Sequence, residues 1–251
     1  MVERHSYPRM ITFFSERAFA AGDLADLGEA ALHHARVRRV AVGAAAHVLD
    51  GHGSVGQGRV HHLSKARLVV QVDTVAMVAR PGELTVFVPV ADRDRVLIAA
   101  EKCAELQITR WQPVVFDRSR SVSPRGEGKK FRERVRARMV SALEQSGGAW
   151  LPDIQAEISA SELWTSVASD WNRVVLDSRG TSMAARKPWS HNAIAAGPEG
   201  GLSDSELADA EAAGWERASI GNTTLRFETA LIAGVAIVRS NQGASQEVRS
   251  G

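Results

Sequence analysis

The sequence holds 251 residues, 44% of them hydrophobic and 24% charged, with a formal net charge of +2. That length is long for one domain and short for two large ones, so a compact domain with a smaller companion is expected, and the apolar fraction is enough for ordinary cores. The single cysteine, Cys103, excludes a disulfide framework and a cysteine-based zinc site. No apolar run approaches the roughly 20 residues that cross a bilayer, and the start, MVERHSYPRM, lacks a signal peptide's apolar region. A soluble cytoplasmic protein with no membrane partner is expected. Charge is unevenly spread: Arg36, Arg38 and Arg39 cluster early, and residues 125–138 hold seven Lys or Arg against two Glu. Local basic surface on a nearly neutral chain points to a polyanionic partner.

In chain order, residues 1–80 read as short strands with turn punctuation, consistent with a small β-barrel. LVVQVDTV at 68–75 is rich in β-branched residues, DGHGSVGQG at 50–58 reads as a glycine-rich turn or hairpin, and EAALHHARV is the helical candidate. The pattern changes at Pro81-Gly82. LTVFVPV at 84–90 reads as a strand buried on both faces, followed by a helix over 92–106 with Val96, Ala99, Ala100, Cys103 and Leu106 on one side. There follow a strand (ITRWQPVVF), helices over 129–146 and 160–169, strands at RVVLD and NAIAA, a helix over 203–213, a strand (ERASI) and a helix over 227–240. Alternation of this kind argues for a parallel α/β sheet. The expected division is therefore a β-barrel over 1–80, an α/β domain over 81–240 and a flexible tail over 241–251.

The stretch AIAAGPEGGLSDSEL at 193–207 runs from a buried strand through glycines into a helix, with Ser203 as N-cap and Glu206 three residues on as a capping box. The loop therefore sits at the carboxyl end of a parallel strand, where ligands of open α/β sheets bind, and its glycines let backbone approach a ligand. An ordinary tight connection has the same appearance. Neither Walker nor Rossmann spacing is present. Pro198 removes an N–H and Glu199 adds negative charge, which suits a neutral or cationic ligand better than a phosphate. A second glycine-bearing strand end, SIGNTTLRFETALIAG at 219–234, supplies another wall of the same pocket.

GPEGGLS, then about twenty residues, then a Gly followed by Leu225-Arg226-Phe227-Glu228-Thr229-Ala230 resembles the ribosomal RNA small-subunit methyltransferase E family of the SPOUT superfamily. Lys102 with Glu105-Leu106, Pro113, Arg118, Glu144-Gln145-Ser146 and Pro152 extend the resemblance, and His33-His34 to Arg39, Gly43 and Asp50-Gly51 resemble the family's N-terminal RNA-binding barrel. Departures are Gln107 for a usual Gly, Gly148 for a common Arg, and Asn222-Thr223-Thr224 for a Pro-Arg-aliphatic stretch.

The resemblance implies a SPOUT-type, trefoil-knotted parallel-sheet α/β domain preceded by a PUA-like β-barrel, in a homodimer. It implies S-adenosylmethionine as cofactor and N3 of a uridine in 16S ribosomal RNA, naked or in the 30S subunit, as the site methylated. Cofactor contacts are implied at Leu176, Gly197, Pro198, Glu199, Gly200, Gly201, Ile220, Gly221, Asn222, Leu225 and Arg226, and RNA contacts at Arg36, Arg38, Arg39, Lys102, Arg118 and Arg120. Arg226 then stabilises charge on the uracil oxygens or clamps the two loops together. Glu228 takes the N3 proton or is a first-turn acid favoured by the helix dipole. A non-catalytic RNA-binding protein and an enzyme for another RNA position stay open.

The remaining candidates have plainer readings. RGEGKKFRERVRARM places Phe131, Val135, Met139 and Ala142-Leu143 on one stripe, so it is first an amphipathic helix and second a phosphate-binding surface. The pairs His33-His34 and His61-His62 cannot share a face and lack completing ligands, so no metal is expected. Trp111, Trp164 and Trp171 read as core. No Gly-x-Ser-x-Gly elbow supports a hydrolase.

Overall fold

A computed structural model describes residues 10–121, 126–186 and 189–249. The chain divides into two compact units: one runs up to Arg80 and takes in Val140–Leu151, and the other comprises Pro81–Met139 and the chain from Pro152 onward.

The first unit holds β1 (Ile11–Phe14), β2 (Leu24–Leu27), α1 (Glu29–Val37), β3 (Ala45–Leu49), β4 (Ser54–Leu63) and β5 (Leu68–Met77). They form a mixed, curled sheet in the order β1-β3-β4-β5-β2, in which only β1 and β3 are parallel. Alternate residues of the strands and one stripe of α1 meet in a core of Phe13, Leu27, Leu32, Val48, Val60, Leu68 and Val70. The glycine-rich stretch turns only at 50–53, where the Asp50 carboxylate accepts from the amides of His52 at 2.8 Å and Ser54 at 3.0 Å. From Ser54 the chain is already β4. Gly58 lies at a register shift of that strand, where a Cβ would collide with the Gln71 carbonyl of β5. Glu144 closes the unit: one oxygen accepts from the Phe14 amide at 3.0 Å and the other pairs with His34 Nδ1 at 2.9 Å.

The second unit holds β6 (Glu83–Pro89), α2 (Arg93–Glu105), β7 (Arg110–Val115), the start of α3 (Lys129–Ser146), β8 (Asp153–Ile154) and β9 (Ile158–Ser159). It continues with α4 (Ala160–Thr165), β10 (Asn172–Ser182), β11 (His191–Ala196), α5 (Asp204–Ala212), β12 (Glu216–Ser219) and α6 (Phe227–Arg249). Its sheet runs β12-β10-β11-β6-β7-β8 with β9 also on β7, and every pairing is parallel. On one face, Phe87, Phe116, Trp164, Leu207 and Trp215 pack together. The Trp164 and Trp215 rings meet edge-on at 5.5 Å. Trp111 is buried, whereas Trp171 is half-buried against the His191 ring.

Two departures from the sequence reading have local causes. The last helix does not stop near residue 240; α6 continues through Arg249. Arg239 and Gln242 fasten its later turns: Arg239 donates to the carbonyls of Gly82 at 2.7 Å, Leu106 at 3.1 Å and Gln107, and Gln242 donates to Trp189 O at 3.2 Å. Desolvation pushes the Arg239 guanidinium down to about 10. The short β8 and β9 escape the sequence pattern because two-residue strands carry no periodicity.

α2 ends in a Schellman turn, with Gln107 N donating to Ala104 O and Ile108 N to Cys103 O, and Gln107 sits at φ 59°. A side chain is strained in that left-handed region and glycine is not. Gln107→Gly is therefore expected to stabilise the protein by about 1 kcal/mol, raising the thermal midpoint by about 2–4 °C. Paired calorimetric scans check this.

Candidate functional site

Register builds the site. Leu176 of β10 pairs with Ala196 of β11 on one side and with Ala218 of β12 on the other. These three residues form the floor of a cleft of about 510 Å³ outside the carboxyl ends of the strands. One wall is the loop from Gly197 to Leu202, and another is Ser219 to Gly221 with Thr223 to Phe227. The third is Asp177 to Arg179, with Arg95 and Arg118 at the rim.

The glycine wall is held in place from several directions. Gly201 N donates to Pro198 O at 2.8 Å, closing a turn in which Gly201 has φ 70°. The Ser203–Glu206 capping box forms as the spacing requires. Glu206 adds a bond from the Asp117 amide at 2.8 Å, and Asp117 in turn accepts from the Ser203 hydroxyl at 3.1 Å. Arg118 Nη1 donates to Gly200 O at 2.6 Å and Leu202 O at 3.1 Å. Glu199 turns away toward α2, accepting from the Asp92 amide at 3.2 Å with Arg95 at 3.9 Å.

Of the residues singled out for a cofactor, Leu176, Gly197, Pro198, Glu199, Gly200, Gly201, Ile220, Gly221, Leu225 and Arg226 all line the cleft; Asn222 does not. Arg226 is exposed at its edge, and its guanidinium makes no hydrogen bond or ion pair among the described residues. Glu228 is 7% exposed and does not line the cleft. It shares its buried face of α6 with Leu231, Val235 and Val238, and its Oε2 has no partner among the described residues. Arg118, expected at RNA, is committed to the loop carbonyls. Lys102, also expected there, lies outside the cleft, between Glu101 at 2.8 Å and Glu105 at 2.7 Å, which raise its pKa. The side chain of Arg120 lies outside the described residues.

In the first unit, Arg38 and Arg39 line a separate cleft of about 730 Å³ with Arg59, His34 and Glu144. Arg36 donates to the Lys65 carbonyl. Arg39, at φ 52°, occupies the left-handed position that ends α1. Among the described residues no cluster of His, Cys, Asp or Glu could hold a metal ion, and no helix is long and apolar enough to cross a membrane.

Sequence reasoning missed Arg95, Asp177 and Arg179. Arg95 was findable, because it sits in the first helical turn after a strand end. Asp177 and Arg179 were hidden by a strand that leaves the sheet and returns to it.

The sequence profile of the RNA methyltransferase domain matches residues 79–239. The chain belongs to this RNA methyltransferase family. It is 28% identical over 214 residues, 81% of this chain and 69% of the relative, to ribosomal RNA small subunit methyltransferase E of Synechocystis sp.. A crystal structure of the enzyme of that name from Neisseria gonorrhoeae, bound to S-adenosyl methionine, superposes with a TM-score of 0.83 at 26% identity, covering 92% of this chain and 97% of that one. A methyltransferase candidate from Legionella pneumophila, solved with bound SAM, has the same fold at a TM-score of 0.81 and 21% identity over 92% of this chain and 98% of its own.

In this RNA methyltransferase the glycine wall depends on a side chain from another strand end. Arg118→Ala is expected to speed amide hydrogen exchange across 197–202 by on the order of tenfold, leaving exchange in β6 and β11 unchanged. Exchange read by mass spectrometry checks this.

Proposed function

We propose that the chain is a cytoplasmic S-adenosylmethionine-dependent methyltransferase that modifies N3 of a uridine in small-subunit ribosomal RNA. The observation that carries the reading is the cleft itself: an apolar floor with walls of backbone and glycine, at the strand ends of a chain in an RNA methyltransferase family. Its volume, about 510 Å³, is within the roughly 300–1,000 Å³ of small-molecule sites. A Cβ at Gly221 would meet nothing of the protein within 4 Å, so the space beside that backbone is open to a ligand. The residues present fit the cofactor: Leu176 supports its base, and the backbone of Gly197, Gly201, Ile220 and Leu225 takes its polar edges. The bound cofactor supplies a methyl group already activated on a sulfonium.

The protein's own part is alignment and charge. Arg226, at the cleft edge with no partner among the described residues, holds the uracil carbonyl oxygens and favours loss of the N3 proton by stabilising the charge left behind. Glu228 is turned into the core side of α6, so we assign it no contact with the base, and the N3 proton passes to solvent. Arg38, Arg39 and Arg59, together on one cleft of the first unit, are suited to RNA phosphates. The resemblance in motifs further supports a trefoil knot in the chain over 197–225, a PUA-like barrel for the first unit, and a homodimer.

The test is transfer of labelled methyl groups to small-subunit RNA, naked and in 30S subunits, with mass-spectrometric mapping of the product. A 3-methyluridine at one position is expected, and label on another base or on transfer RNA refutes the substrate assignment. Gly221→Val is expected to abolish cofactor binding in calorimetry without lowering the thermal midpoint. Arg226→Ala is expected to slow single-turnover methylation by on the order of 10²-fold with cofactor affinity nearly unchanged.

A further inference from the structure

Strand β10 does not run straight past its neighbour. Leu176 and Thr181 both pair with Ala218 of β12, so Asp177, Ser178, Arg179 and Gly180 arch out of the ladder between them. Gly180 is the return point: a Cβ there would lie 2.5 Å from Ala218 N, so the arch is pressed onto β12 at its far end. Its near end follows Leu176, the floor of the cofactor cleft, and Asp177 and Arg179 both line that cleft.

Within the arch, Asp177 receives a full set of donors from one residue. Oδ1 accepts from Arg179 N at 2.8 Å and Nε at 3.2 Å, and Oδ2 accepts from Arg179 Nη2 at 3.0 Å. The two partners differ in exposure, because the Asp177 side chain is 12% exposed and that of Arg179 is 63% exposed. The fixed group is therefore the carboxylate, and the movable group is the guanidinium. Arg179 holds the Asp177 carboxyl below the usual carboxylate range, which keeps it an acceptor on both oxygens. Asp204 and Glu211 also attract the Arg179 guanidinium, so it has other acids to turn toward when it leaves.

A half-buried carboxylate at a strand end, engaged by two side-chain N–H donors and beside an apolar floor, matches one part of a nucleoside. The two adjacent hydroxyls of a ribose present a similar pair of donors, and an acidic residue at a strand end is a known way to hold them in α/β sheets. We propose that Asp177 is the acceptor for the vicinal diol of the adenosine ribose, and that Arg179 occupies this acceptor while the cleft holds no nucleoside. The inference rests on the reading of the cleft as an S-adenosylmethionine site. It makes Asp177 a specificity-determining residue for the ribo form of the ligand and Arg179 an internal competitor for it.

The experiment measures calorimetric affinities for S-adenosylhomocysteine and its 3′-deoxy counterpart with the full chain. The parent protein is expected to prefer the ribo ligand by on the order of tenfold, the worth of a hydrogen bond to a charged group. Asp177→Ala is expected to bring that preference to about one, weakening the ribo ligand more than the deoxy ligand, which has a single hydroxyl to lose. Arg179→Ala is expected to keep the preference and to tighten the ribo ligand by about threefold or more, because the competitor is gone. If Asp177→Ala retains the parental preference, or if both variants weaken the two ligands equally, the pair only braces the arch and the inference falls. If the parent binds neither ligand, the cofactor reading falls first and takes this inference with it.

Discussion

Glu206 is 5% exposed and divides its carboxylate between two chain segments. One oxygen accepts from the Ser203 amide at the start of its own helix, and the other accepts from the Asp117 amide just past β7. A buried carboxylate without donors is costly, and each bond to it contributes roughly 1.5–3 kcal/mol. The capping box therefore does more than begin α5: it fixes where β7 hands over to the next loop, and so where Arg118 begins its reach to Gly200 and Leu202. The glycine wall of the cleft inherits its position from that carboxylate.

The guanidinium groups around the cleft divide their work by what they touch. Arg118 braces backbone carbonyls, Arg95 stands near Glu199, Arg179 covers Asp177, and Arg226 has no protein partner among the described residues. Under the proposed function, loss of the N3 proton leaves negative charge on the base before the methyl group arrives, and a cation not already bound to the walls is the one suited to meet it. Arg226, beside the loop of β12, is the cleft-lining arginine with no partner among the described residues.

Much of this was legible in the sequence. The apolar stretch NAIAA ahead of Gly197, the strand end ERASI ahead of Gly221 and the Ser203–Glu206 spacing place two of the three walls. They do so because strand ends, caps and glycine loops are local features. The third wall was not legible, since RVVLDSRG reads as a strand that stops, and its return to the same neighbour at Thr181 depends on β12, some 35 residues later in the chain. Direction was the other gap. Arg118, Arg226 and Glu228 all follow strand ends in the chain, yet one braces, one stays open and one is buried, which only packing decides. The departure at Gln107 acquired a meaning the sequence lacked: it marks a backbone position with φ 59° that an amide side chain tolerates at a cost.

The first unit is assembled from two separated stretches of chain, and its last pieces come late. Glu144 accepts from the Phe14 amide and pairs with His34, and Trp150 donates from its indole to Val78 O at 3.0 Å and lies against the turn at Gly53. As the chain leaves the ribosome, β1 through β5 emerge well before either residue does. The amino-terminal unit thus reverses the usual vectorial order, in which the first part made is the first part finished: it is completed only after β6, α2 and β7 have been synthesised.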